Sequence, residues 1–212
     1  MGVNQQLLDQ VLHGTNIMPS EQEPNLGNIE DIMAAIQKLI ELCGDDPHRD
    51  GLQETPMRVL RAFLEYTQGY REDPKSHLLK TFTVDVHHQE LVMVKDIEFF
   101  SLCEHHFAPF FGAAHVGYIP NQRITGLSKI ARMVEGYAKR FQVQERLTDQ
   151  IVEAMQEVLN PKGAIVIIEA QHLCMSSRGI KKAKALTTTS AARGVFATDA
   201  DAQARFMALL NR

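Results

Sequence analysis

Cysteine is scarce in this chain: three residues in 212. So small and odd a number excludes a disulfide framework as the basis of the fold. Long apolar runs are also missing. None approaches the ~20 residues that a bilayer-spanning helix needs, which leaves the membrane out of the expected partners. Nor is there an excess of positive charge. With 22 Lys and Arg against 26 Asp and Glu, the net charge is -4 and the pI is near 6.1. A dedicated nucleic-acid binder would be basic, so nucleic acid is excluded, while a local cationic pocket for one phosphorylated small molecule is not. The opening MGVNQQLLDQVLHG lacks the basic flank and long apolar stretch of a signal peptide. Gln6 stands where a myristoylation signal has Ser or Thr. The expected compartment is therefore the cytoplasm, where clustered Cys and His bind metal rather than pair as disulfides.

What is present is the make-up of an ordinary globular chain, 44% hydrophobic and 23% charged. Residues 1–27, with Pro19, Pro24 and Gly27 among polar residues, read as a loosely ordered arm. A helical region over 28–75 follows. Ile29, Ile32, Met33, Ile36, Leu39, Ile40 and Cys43 recur at helical spacing, with Asn28 as N-cap and Gly44 as C-terminal cap. On that pattern Cys43 is a small buried hydrophobe. A second helix starts at Thr55-Pro56, Thr as cap and Pro at the first helical position, and is punctuated by Gly69 and Pro74.

The larger part of the chain, 76–212, mixes strands and helices. Leu91–Val94 and Ile97–Phe100 read as extended runs, followed by Phe110–Ile119 closed by Pro120-Asn121. Ser128 is placed to cap a helix through about Arg140, and a further helix runs through Leu147, Ile151, Met155 and Val158 to Asn160-Pro161. A β-branched run over 163–170, a last strand near 184–190 and a helix near 200–210 complete the chain. This order predicts an α+β fold, an antiparallel sheet with packed helices, preceded by an N-terminal helical extension. The Thr187-Thr188-Thr189 run reads simply as β-strand.

Two short clusters hold residue types suited to a transition metal: Cys103-Glu104-His105-His106 and His172-Leu173-Cys174. In the first, Cys103 and His106 have a C-x-x-H spacing that lets one turn aim both side chains at one ion. In the second, strand alternation would point His172 and Cys174 the same way, one as ligand and the other beside it for proton work. Two thiolates and an imidazole suit Zn2+, and three protein ligands leave a position for water whose pKa then falls toward ~7. A closed structural site, with His105 or His172 as fourth ligand, fits the same spacing.

A second constellation concerns anions. Gly126-Leu127-Ser128-Lys129-Ile130-Ala131-Arg132 sets a hydroxyl and two cations at a helix start, where backbone N–H groups already favour a phosphate. Lys129 and Arg132 share a helix face, and Arg178 adds a cation just past Cys174. Gln144-Glu145 opens the next helix, and a carboxylate with an adjacent amide can accept from the amidine edge of a purine.

Taken together, SLCEHHFAPFFG, GYIP, GLSKIAR, QVQERLT, HLCMSSRG and TTTS resemble GTP cyclohydrolase I, in that family's order from about residue 100 to 190. The stretch Thr55-Pro56-Met57-Arg58 extends the resemblance upstream. It implies hydrolytic opening of the guanine imidazole ring of GTP, loss of C8 as formate, and formation of 7,8-dihydroneopterin triphosphate. By the same resemblance Cys103, His106 and Cys174 hold Zn2+, His172 donates and accepts protons at N7, and His105 assists as a second acid/base group. Gln144 and Glu145 grip the pyrimidine edge, while Ser128, Lys129, Arg132, Arg178 and Arg58 hold the triphosphate. The family's tunnelling fold (T-fold), in a homodecamer with sites between subunits, is implied in the same way, residues 76–212 being the catalytic domain. Ala113-Ala114 departs from the family pattern, where many relatives carry a Lys. The combined H-x-E and P-C-x-x-C signature of zinc deaminases is absent, since no P-C-x-x-C occurs.

Overall fold

A computed structural model describes residues 29–83 and 90–212. The arm over 1–27, the expected cap Asn28 and residues 84–89 lie outside that range. The chain divides between Arg71 and Glu72 into two compact units.

The first unit contains α1 (Ile29–Leu42) and α2 (Thr55–Tyr66), followed by a 3-10 turn at Gln68–Arg71. Ile29 and Leu60 are buried between the helices, with Met33, Met57 and Leu64 packed around them. Gly44, at φ +91°, closes α1. Its N–H donates to Glu41 at 2.9 Å and the Asp45 N–H donates to Ile40 at 3.2 Å, the paired bonds of a Schellman motif. Two expectations need correction. Cys43 is exposed, because it stands one residue past the helix at the cap, off the buried stripe. Thr55 is the first helical residue rather than the cap; Glu54 takes that place and makes no side-chain capping bond.

The second unit is an α+β layer structure. It opens with a 3-10 turn at Pro74–Leu79, whose Leu78 is fully buried. Its strands are β1 (Thr81–Thr83), β2 (Val92–Cys103), β3 (Pro109–Ile119), β4 (Arg123–Thr125), β5 (Phe141–Gln142), β6 (Gly163–His172) and β7 (Thr187–Gly194). The main sheet has the order β5-β2-β3-β6-β7. All neighbours are antiparallel except β5, which runs parallel to the end of β2. β1 and β4 form a separate antiparallel pair. The two extended runs expected over 91–100 are one strand. A register shift between Val94 and Ile97 interrupts it, with Asp96 at φ +58°. Buried His115 on the neighbouring strand accepts the Asp96 N–H at 3.1 Å, which satisfies the backbone freed by that bulge.

One face of the sheet carries α3 (Leu127–Ala138) and α4 (Gln144–Leu159). The core there gathers Phe110, Val116, Ile130, Met133, Ile151, Met155, Val166 and Ile168. The opposite face packs Ile165 and Ile167 against Phe196 of the short helix α6 (Val195–Thr198) and Phe206 of α7 (Ala200–Leu210). β6 is thus covered on both faces, which is why 163–168 reads as an unbroken apolar run. Successive residues serve opposite cores: Val166 and Ile168 one, Ile165 and Ile167 the other.

Two boundaries differ from expectation in this unit, and the short strands β1, β4 and β5 were not expected. α3 begins at Leu127 with Gly126 as its cap, so Ser128 lies inside the first turn and caps nothing. β7 spans 187–194 rather than 184–190, because its register is set by β6 from Ala170↔Thr187 to Gly163↔Gly194. β5 is only two residues long and carries no periodicity to find. Among the described residues, no helix is long and apolar enough to cross a membrane.

Candidate active site

The β2–β3 connection, residues 104–108, is drawn tight by its own backbone. The Cys103 carbonyl accepts from His106 N–H at 3.2 Å and from Phe107 N–H at 2.9 Å, while the Cys103 N–H donates to Ala108 at 2.9 Å. Phe107 takes a positive φ of 53° to complete the turn. Cys103 and His106 are thereby aimed together, with Sγ and Nδ1 at 3.8 Å. The turn is also fastened from outside. Glu104 N–H donates to the Gln142 carbonyl at 3.0 Å, and the Glu104 carboxylate is ion-paired with Arg146. Arg146 donates in addition to Gln142 Oε1 at 3.1 Å, and its pairing holds the Glu104 carboxyl below the usual carboxylate range.

The second cluster sits where β6 ends. Phe110↔His172 is the last β3–β6 pair before Pro109, which has no N–H to offer the ladder. The chain then leaves the sheet in a single helical turn, α5 (Leu173–Ser176), with Ser176 and Ser177 hydroxyls donating to the His172 and Leu173 carbonyls. This corrects the expected strand geometry: His172 terminates the strand and Cys174 projects from the turn. The result is a group of three donors, Cys103, His106 and Cys174, whose ligand atoms all lie within 4.8 Å of one another. Burial pushes the Cys174 thiol up, and the neighbouring Cys103 sulfur adds to that shift.

His105 also reaches Cys103, its Nδ1 lying 3.7 Å from the sulfur, but its side chain is 63% exposed and turns its other nitrogen toward Glu104 at 4.0 Å. His172 is half-buried and stacks flat on Phe110, with ring centroids 4.6 Å apart and planes 2° from parallel. Its Nε2 lies 2.8 Å from Gln144 Oε1. Burial lowers its pKa, an effect opposed by the Glu145 carboxylate.

The remaining candidates are distributed as follows. Glu145 is exposed at the start of α4, close enough for its charge to act on His172. Arg178 is exposed, and its charge acts on Cys174. Ser128, Lys129 and Arg132 occupy the first two turns of α3; among the described residues no hydrogen bond or ion pair joins them to the donor group. Arg58, on α2 in the other unit, pairs with Glu54 at 2.5 Å. Gln144, expected at a purine edge, is instead 2% exposed, and its amide is engaged with the protein on both sides. A cavity of about 620 Å³ lined by Glu90, Lys162, Phe196 and Arg205 shares no residue with this group.

Sequence reasoning missed Glu104–Arg146, Phe110, Thr148 and Thr189. Only two of these left a trace in the sequence. Gln144 and Thr148 are four apart on one helix, and Thr187 and Thr189 share a strand face.

The comparisons with known proteins agree with the motifs. A family profile described as GTP cyclohydrolase I matches residues 32–211. GTP cyclohydrolase 1 of Carboxydothermus hydrogenoformans is 52% identical over 182 residues, 85% of this chain and 94% of the relative. The protein of that name from Halalkalibacterium halodurans is also 52% identical, over 85% of this chain and 96% of its own. A solved structure, the archaeosine synthase QueF-Like in the apo form, aligns with a TM-score of 0.41 at 21% identity, covering 49% of this chain and 93% of its own, too loosely to assign topology. Half-identical relatives matched along nearly their whole length, with a profile that takes in both Cys/His clusters, make this chain a member of the GTP cyclohydrolase I family.

Proposed function

We propose that this chain is a zinc-dependent hydrolase that opens the imidazole ring of GTP at C8, releasing formate and leaving 7,8-dihydroneopterin triphosphate, the first step of a pterin or tetrahydrofolate pathway. The observation that carries this reading is the convergence of Cys103, His106 and Cys174 with His172 at the adjoining strand end. Their spacing fits the metal. Zn–S near 2.3 Å and Zn–N near 2.0 Å give tetrahedral edges of about 3.6 Å, and Cys103 Sγ and His106 Nδ1 stand at 3.8 Å. Two thiolates and one imidazole would hold zinc and leave one position open. When bound, zinc supplies Lewis acidity at that position and lowers the pKa of water toward ~7.

The chain's own residues do the rest. C8 of a purine is a weak electrophile, and a proton placed at N7 strengthens it; His172, at the edge of the donor group, delivers and recovers that proton. His105, exposed on the ligand turn, assists when the ribose opens and rearranges. Glu145 accepts from the amidine N–H groups of the guanine. Ser128, Lys129 and Arg132 at the start of α3, with Arg178 and with Arg58 of a neighbouring subunit, hold the triphosphate against a helix N-terminus. In this reading residues 1–27 are an arm, 28–75 a helical region and 76–212 a catalytic tunnelling-fold domain. The assembly is a homodecamer with sites between subunits, working in the reducing cytoplasm where two ligand thiols survive.

The test is incubation of the purified, zinc-replete protein with GTP, with formate and the fluorescence of oxidised neopterin as readouts. Stoichiometric formate is expected. Absence of both products under metal-replete conditions overturns the reading.

A further inference from the structure

Gln144 is 2% exposed at the first position of α4, and every polar atom of its side chain is engaged. Its Nε2 lies 3.0 Å from the Ile168 carbonyl, 2.9 Å from the Thr187 carbonyl and 3.1 Å from Thr189 Oγ1. Carbonyl oxygens can only accept, so this side of the amide must be the NH2 group; an oxygen turned that way would face two carbonyls. Oε1 is therefore directed at His172, and the 2.8 Å contact to Nε2 requires a hydrogen on that nitrogen.

The hydroxyls beside Gln144 obey the same logic. Thr148, 1% exposed, donates to the Gln144 carbonyl at 2.7 Å, which uses its one hydrogen. At the 2.6 Å contact between the two threonines, Thr189 must then be the donor, leaving its oxygen to share the two Gln144 Nε2 hydrogens with the Ile168 and Thr187 carbonyls. Proton positions are thus dictated link by link from main-chain carbonyls to an imidazole. Phe110, stacked flat on the ring, removes the remaining freedom to tilt.

From this geometry we infer that Gln144 is a positioning residue rather than a substrate contact: with Thr148 and Thr189 it holds His172 as the Nε2–H tautomer and reserves Nδ1 for chemistry. Among the described residues Nδ1 has no hydrogen-bond partner. The inference rests on the proton-transfer role proposed for His172. The bond to Gln144 involves a hydrogen present whether or not Nδ1 is protonated, so the ring stays in place through a transfer cycle. The Thr187-Thr188-Thr189 run acquires a purpose here that strand propensity alone does not supply.

The experiment uses the full-length zinc-loaded protein labelled with 15N, the His172 ring signals being assigned by their loss in His172→Ala. Proton-coupled ring spectra are expected to show hydrogen on Nε2 and a bare Nδ1 as a single tautomer. A ring carrying its hydrogen only on Nδ1 overturns the inference outright. Gln144→Met, which keeps length but no hydrogen bond, should mix the tautomers and lower kcat roughly 10- to 100-fold, with KM for GTP and zinc content little changed. Thr189→Val, a milder lesion that keeps Gln144, should mix them less. A raised KM with unchanged kcat and an unmixed ring in Gln144→Met would make Gln144 a substrate contact and sink the proposal. The tautomer measurement needs no substrate, so it decides this inference separately from the proposed reaction.

Discussion

On one bank of the donor group, Cys103 and His106 hang from a short turn that is fastened mostly at the surface, by Glu104, Arg146 and the edge strand β5. On the other bank, His172 is held from beneath by a buried chain of hydrogen bonds and an aromatic face. The difference matches the work proposed for each. A ligand turn can be aimed by backbone hydrogen bonds and completed by the metal itself, since ligand–metal bonds supply the final alignment. A proton-transfer group receives no such help. Its ring must be set in orientation and tautomer by the protein alone, and a low-dielectric interior makes those hydrogen bonds directional.

The sharpest way to break this contrast is across the metal. Cys174→Ser should lose zinc and turnover together, measured as metal content and formate release. A variant that retains a full equivalent of zinc would place the third ligand elsewhere. His172→Ala should remove turnover while leaving zinc bound. Loss of metal in that variant would make His172 a ligand and erase the distinction between the banks. Arg146→Gln tests the fastening of the turn. Removal of an outer partner of a ligand-bearing segment should weaken zinc retention by roughly 10- to 100-fold in a chelator competition. Unchanged retention would show that the backbone turn suffices without its clamp.

The smallest effect is expected for a charge pair with no site built on it. Arg49 donates to Asp45 at 2.7 and 2.8 Å and lowers that carboxyl to about 2. A depressed carboxyl stabilises the fold above its unfolded value, near ~3.9, and the contribution disappears as pH falls through the folded value. Asp45→Asn should therefore lower Tm slightly near neutral pH, the difference from wild type closing toward pH 2. A difference that persisted there would assign it to packing rather than charge. Exposure of both side chains keeps the effect small.

How much of this was readable beforehand depends on the range of the interaction. The helices over 29–42, 127–138 and 144–159 follow from apolar periodicity, and the turn at Cys103–His106 from spacing that one local loop can satisfy. Cys43 was misread because helical spacing does not say where the last covered turn stops. β7 was misplaced because Ala191 and Ala192 have little strand propensity of their own and pair only because β6 lies alongside. Thr148 and Thr189 stand 41 positions apart, and nothing local links them.

The sequence alone pointed to the family, to two clusters of metal-binding residue types and to the longer helices, because these depend on residue identity and short spacing. Only the tertiary structure decided that Cys174 leaves the strand and that Gln144 turns inward. The same is true of His172, which faces a buried oxygen from a helix start 28 residues away. Those outcomes follow from long-range pairing, where buried carbonyls must be satisfied and any donor brought near them is committed.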